Sequence, residues 1–213
     1  MATYAYTFTS GDTVTPTKLN NARTVSEIVN ADIKSDAAIA GSKLADGGIT
    51  PAKLAQPYTL RAAQASTSGT FIDFTAIPSW VKRITVMLDA VSFAGTAHML
   101  IQIGSGSLTT SGYASWSTFL QGTTTTAGAI SSSAGFVVYM GAAANIVTGT
   151  FVLNLVGYNT WLGQGIGVYS NNGAQMFAAG NVALSGALDR VRVTRSDASD
   201  TFDAGAISIS YEG

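Results

Sequence analysis

Between Asp89 and Asp189 the chain contains no Asp, Glu, Lys or Arg, so residues 90–188 form a run of 99 positions without a formal charge. A solvated monomer ordinarily spreads charge over its surface to stay soluble. A run this long therefore allows two arrangements: its surface is covered by other subunits, or it is furnished with Ser, Thr and Asn instead of charge. The composition agrees. Only 11% of the 213 residues are charged, against about a quarter in an ordinary soluble domain. Gly, Ser and Thr number 23, 22 and 26, which suits compact β structure with tight turns.

The same counts remove whole function classes. With 11 basic and 12 acidic residues the net charge is −1; no basic surplus is left to neutralise phosphates, and no nucleic-acid partner is expected. Cysteine is absent, which removes disulfides, thiolate metal sites and cysteine nucleophiles. His98 is the sole histidine and sits in a strand-like run between Ala97 and Met99. The expectation is a partly buried, hydrogen-bonded imidazole rather than a catalytic base. No GxSxG, HExxH or phosphate-loop pattern occurs. The chain is read as a non-enzyme with no catalytic residue, metal or cofactor. Met1 to Ser10 lacks a basic segment followed by an apolar run, so no secretory signal is expected and synthesis in a cytoplasm is inferred. No window approaches about 20 apolar residues, so no membrane insertion is expected.

The two ends of the chain follow different rules. Thr15-Pro16 reads as a helix cap followed by proline, and Leu19, Ala22, Val25, Ile28 and Val29 predict a short helix over about residues 16–29. Beyond it, Ile28, Ile33, Ile39, Leu44, Ile49 and Leu54 are spaced by 5, 6, 5, 5 and 5, matching neither helix nor strand. IAGSKL (39–44) and ITPAKL (49–54) repeat at an offset of ten, and VTPTKL (14–19) echoes them. A thin repeat cannot bury its own apolar side chains, so these six positions are expected to pack against neighbouring copies in an intertwined stalk.

From about Tyr58 the chain reads as all-β. Strand candidates are 81–93, 98–104, 135–140, 149–158, 160–170, 188–196 and 205–213. Gly, Asn and Ser clusters at 104–112, 122–135 and 170–173 separate them. Short strands with regular turn signals predict a β-sandwich or jelly roll. Aliphatic strands with little charge on either face point to oligomerisation.

Aromatic residues carry the remaining signal. Tyr113 and Trp116 lie in a Ser/Gly-rich stretch read as a loop; Tyr158, Trp161 and Tyr169 flank a Gly-rich strand pair that ends in Ser170-Asn171-Asn172-Gly173. Aromatic faces beside amides and hydroxyls suit sugar rings. Tyr113, Trp116, Tyr169, Asn171 and Asn172 are therefore the candidate receptor-binding residues; the alternative is that the rings fill a core or an interface, the reading favoured for Trp80 and Trp161. Glycoside hydrolysis needs two carboxylates roughly 5–10 Å apart. Asp73, Asp89, Asp189, Asp197, Asp200, Asp203 and Glu212 all lie before or after the charge-free run, and a trimer could bring them together. Asp197, Asp200 and Asp203, spaced by three, could form a calcium loop, because hard cations take several carboxylate oxygens, but they lack the D-x-D-x-D-G spacing of an EF-hand. With Arg190, Arg192 and Arg195 close by, Arg–Asp pairing and Asx-turns are the expected use.

Three blocks, 74–104, 160–170 and 187–213, resemble the C-terminal domain of tailed-bacteriophage tail fibres, and cover a little under half of the β part. Residues 30–56 are similar to shaft repeats that precede fibre tips. The resemblance implies a homotrimeric virion fibre, on the tail or capsid exterior. Residues 1–30 would contact other virion proteins, 31–57 would form the stalk, and 58–213 would form a β-sandwich tip meeting a host-surface glycan. The alternatives are a head fibre or capsid decoration protein, and a tailspike-like polysaccharide depolymerase. Residues 105–135 match the family least and are expected to form tip loops that choose the receptor.

Overall fold

The computed structural model describes residues 56–121 and 127–213, together with residues 3, 4, 11, 13, 15 and 25–27. The chain divides into two units, Met1–Thr50 and Pro51–Gly213.

In the first unit, β1 (Thr3–Tyr4) pairs antiparallel with β2 (Val25–Glu27). This corrects the expected helix over 16–29, since three of its residues are strand. Valine has a higher strand than helix preference, which local periodicity does not weigh. The remainder of that helix, the packing positions Ile28, Ile33, Ile39, Leu44, Ile49 and Leu54, and the repeats at 39–44 and 49–54 lie outside the described residues.

The second unit is mainly β, and its strand pairings are antiparallel. Its strands are β3 (Thr59–Leu60), β4 (Gln64–Ala65), β5 (Phe71–Thr75), β6 (Arg83–Phe93), β7 (Met99–Ser105), β8 (Ser107–Leu108), β9 (Ala114–Leu120), β10 (Ala127–Ser132), β11 (Phe136–Val138), β12 (Val147–Gly157), β13 (Thr160–Tyr169), β14 (Gln175–Ala183), β15 (Arg190–Arg195) and β16 (Phe202–Glu212). The larger sheet runs β10-β9-β14-β13-β12-β6-β16-β3, with β4 also on β16. The smaller runs β11-β7-β15-β5, with β8 on β7. All seven strand candidates appear, as β6, β7, β11, β12, β13, β15 and β16. The expected tip loop over 105–135 does not: β9 and β10 occupy much of it and form one edge of the larger sheet.

Residues of both sheets belong to one buried cluster. Ile84, Val86, Phe151, Leu153 and Trp161 come from the larger sheet, and Phe74, Ile101, Ile103, Phe136 and Val191 from the smaller. The rings of Phe136 and Phe151 meet across the sheets at 5.5 Å between centroids. Burying each such side chain contributes about 1.5–3 kcal/mol before entropy is counted. Trp161 is in this core and Trp80 packs against it, as expected for both.

The GQGIG segment of β13 acquires a physical reason here. Gly163 and Gly165 lie on the same side of β13 as Trp161 and Tyr169. A Cβ on Gly163 would stand 2.6 Å from Phe151 Cε1 and 2.8 Å from Phe136 Cδ1. The glycines leave room for the rings of the neighbouring strand and of the facing sheet. On the other side of β13 stand Leu162, Gln164, Ile166 and Val168, all exposed.

Candidate functional site

Period-2 alternation gives each sheet an inner and an outer face, and the two outer faces differ in charge. On the smaller sheet, Arg192 of β15 lies opposite Asp73 of β5. It grips that carboxylate with two bonds, Nε to Oδ1 at 2.7 Å and Nη2 to Oδ2 at 2.6 Å. Its guanidinium also sits 3.9 Å from the centre of the Phe71 ring.

The outer face of the larger sheet draws on the charge-free run. Strand register sets Ser131, Trp116, Ala179, Gln164 and Val152 side by side in one row across β10, β9, β14, β13 and β12. The next row is Ala129, Thr118, Phe177, Ile166 and Thr150. Charge enters this face on β6 and β16, as Asp89 and as Arg83 paired with Glu212 at 3.1 Å.

Trp116 is held at the surface by its neighbours in sequence. Ser115 and Ser117 point inward and are buried. Ser115 Oγ accepts the Val137 N–H at 2.9 Å, and Ser117 Oγ accepts the Tyr139 N–H at 3.0 Å. Ser117 Oγ also donates to the Phe177 carbonyl at 3.1 Å. These bonds tie β9 to β11 and the residue after it, in the smaller sheet, so the intervening residue must face outward. Trp116 is 60% exposed, and its neighbours in the row, Ser131 and Ala179, are small. Hollows of about 330 Å³ and 250 Å³ flank it.

The other candidates are placed differently. Tyr113 is 4% exposed, and its ring meets Phe136 edge-on at 5.1 Å. Its hydroxyl accepts the Ile103 N–H at 2.8 Å and donates to the Thr109 carbonyl at 3.0 Å. Burial pushes its pKa up to about 12, against the opposing pull of the Ile103 hydrogen bond. Tyr169 is fully buried and donates to the Tyr139 carbonyl. Burial, reinforced by Tyr139, pushes its pKa up as well. The exposed ring faces expected of Tyr113 and Tyr169 are therefore corrected: both phenols complete backbone hydrogen bonding inside the fold.

Asn171 is exposed and Asn172 half-buried; their amides point to Asn145 Oδ1 at 3.2 Å and 3.5 Å. Asn172 Oδ1 accepts the Ala174 N–H at 3.0 Å, which closes the turn between β13 and β14. They stand apart from Trp116 in strand order, at the end of β13 where Tyr169 pairs with Val147. Sequence reasoning missed Phe177, Gln164 and Ile166 as members of the Trp116 face. The alternation of Gln164 and Ile166 with inward glycines, and of Phe177 with buried Met176 and Ala178, was the available signal.

Among the described residues, most of the carboxylates are committed to partners. Besides the pairs of Asp73 and Glu212, Asp189 bonds Arg190 at 2.8 Å and 3.0 Å, and this holds its pKa below the usual range. Burial acts to raise Asp197, but N–H groups of Asp200 and Ser199, the Ser199 hydroxyl and Arg195 outweigh it and its pKa falls. Asp200 accepts the Ala97 N–H at 2.7 Å, and Asp203 accepts the Ser92 hydroxyl. The run 197–203 is thus built from Asx-type turns and loop ties. Among the described residues no group of three His, Cys, Asp or Glu side chains is placed to hold a metal ion. No helix among them is long and apolar enough to cross a membrane.

Comparison with protein-family models, with curated proteins and with solved structures gives no match.

Proposed function

We propose that this chain is a structural fibre protein of a tailed-bacteriophage virion that attaches the particle to a host-surface glycan. In this reading it is a homotrimer. Residues 1–30 meet other virion proteins, 31–57 form an intertwined stalk, and 58–213 form a β-sandwich tip. The observation that carries the reading is the segregation of charge. The outer face of the larger sheet presents Trp116, Leu162, Ile166 and Phe177 to solvent with no charged residue from β9 to β14. Such a face serves contact rather than solvation. Display on a trimer turns weak single contacts into firm attachment.

The depolymerase reading draws less support. A general acid needs a raised carboxyl pKa, whereas the hydrogen-bonded carboxyls of Asp189 and Asp197 are both held below the usual range.

Immunogold labelling of particles that carry the chain, with sedimentation of the purified protein, tests the proposal. Label on tails and a trimer mass are expected. Label on heads would transfer the role to a head fibre or decoration protein. A monomer at micromolar concentration, with unlabelled particles, would sink the fibre reading.

A further inference from the structure

The uncharged face is not flat. Trp116 forms a ridge because the residues opposite it, Ser131 on β10 and Ala179 on β14, are small. On one side of the indole a hollow of about 330 Å³ is rimmed by Ser131 and Ser133. On the other a hollow of about 250 Å³ is lined by Thr118, Phe177 and Ala179. A third hollow of about 340 Å³ begins at Phe177 and Ala179 and continues to Gln164, Ile166 and Thr150. The second hollow shares Trp116 with the first and Phe177 with the third, so the three are contiguous.

We infer that this series is a binding site for a neutral oligosaccharide, with a pyranose ring stacked on the Trp116 indole and adjacent residues of the sugar chain in the flanking hollows. The inference rests on the attachment reading above and names the ligand class for it. A pyranose has an apolar C–H face and an equatorial rim of hydroxyls. The site offers the complementary pattern: aromatic faces at Trp116 and Phe177, and uncharged donors and acceptors at Ser131, Ser133, Thr118, Gln164 and Thr150. Three joined hollows suit several sugar units rather than one.

Charge selects among saccharides. All these lining residues lie in the run from 90 to 188, which contains no Lys or Arg. A uronate, sialate or phosphate group seated here would lose water without gaining a cationic partner. The ligand is therefore a neutral hexose or deoxyhexose chain. The other occupant that an uncharged face could take is a second copy of this chain. Against it stands the relief: a ridge between hollows rimmed by hydroxyls is a poor match for the same surface on a copy.

The test is an array of immobilised neutral and acidic oligosaccharides probed with the full chain and with the Trp116→Ala and Trp116→Phe variants, alongside sedimentation of all three. Binding to neutral members is expected. It should weaken more than about tenfold in Trp116→Ala, the loss of roughly 1.4 kcal/mol of stacking, recover in part in Trp116→Phe, and change little with added salt. Because Trp116 is exposed, its replacement leaves the melting temperature near that of the parent. Binding confined to acidic members, or unchanged in Trp116→Ala, would overturn the assignment. So would dissociation of the oligomer by Trp116→Ala, which would give the face to a second copy. Failure on the array while the protein still coats host cells would overturn the ligand class and leave the attachment reading standing. Failure on both would remove the two together.

Discussion

His98 Nδ1 accepts the backbone N–H of Met140 at 2.9 Å. A nitrogen that accepts a hydrogen bond carries no proton, so this contact requires His98 to be neutral, with its one ring proton on Nε2. The imidazole also packs on Tyr139, with 4.8 Å between ring centroids. The expected partly buried, hydrogen-bonded histidine is what the structure contains.

The contact sets a pH dependence. Burial lowers the His98 pKa from its ordinary 6.5. The folded state then binds fewer protons than the unfolded chain below that value, so stability falls as pH falls. The His98 contribution is complete above 6.5 and is lost as pH drops through the lowered folded value. Asp189 and Asp197 do not blur this window, because their contributions are complete above 3.8 and are lost below it. Thermal melts between about pH 7.5 and 5 should show a falling midpoint. His98→Asn should flatten that slope; an unchanged slope in the variant would assign it to another group.

Tyr113→Phe separates a structural from a ligand role. β11 pairs with β7 only at Met99, Leu100 and Ile101. Beyond its end, the Tyr113 hydroxyl supplies the acceptor for the Ile103 N–H. Removing that oxygen leaves a buried donor unpaired and should cost about 1–3 kcal/mol. Urea unfolding should report the loss, while oligosaccharide binding should fall far less than in Trp116→Ala. A variant of parental stability would show that water replaces the hydroxyl.

Gly163→Ala should destabilise by about 1–3 kcal/mol through overpacking. Its Cβ would press on Phe151 and Phe136 at 2.6 Å and 2.8 Å, and both rings are fully buried. Gln164→Ala, one residue along and facing outward, should stay within about 0.5 kcal/mol of the parent. Equal midpoints for the two variants in denaturant would contradict the inward assignment of the glycines.

The β12–β13 hairpin holds an avoidable cost. Tyr158 and Asn159 form its two-residue loop with φ of +49° and +60°. That is the conformation for which Asn-Gly is preferred. Tyrosine at positive φ costs about 1–2 kcal/mol, and Tyr158 is fully exposed. The double change Tyr158→Asn with Asn159→Gly should raise the melting temperature by a few degrees. A fall would mean that the Tyr158 ring makes a stabilising contact.

Strands were legible where side chains advertise them. VKRITVMLDAVSF, RVRVTR and AISISY alternate β-branched with polar residues, and the structure has β6, β15 and β16 there. β9 and β10 were not legible. Their sequences, ASWSTFL and AGAISS, carry the Ser, Ala and Gly content of loops. In a chain read locally, a serine signals a turn. In the fold, Ser115 and Ser117 are buried because their hydroxyls accept backbone N–H groups about twenty residues away. That partnership makes burial of a polar side chain affordable, and no local pattern reveals it.

The candidate site divided along the same line. Trp116 was selectable from residue type, and it is exposed. Tyr113 and Tyr169 were selected by the same rule and are buried, because a phenol near a strand end can serve either a ligand or an orphaned backbone group. Which of the two it serves depends on the segment that folds against it.

Composition alone determined that residues 90–188 would present little or no charge wherever they were placed, and β-branched alternation determined most of the strands. Only the tertiary structure decided which side of each strand met solvent, and so gathered Trp116, Phe177, Gln164 and Ile166 from three strands onto one face. The physical reason is that alternation fixes two faces per strand, whereas register across neighbours fixes which residues of different strands share one. Register is set by long-range backbone pairing and by fit around rings such as Phe151 and Phe136, and it leaves no mark within any single segment.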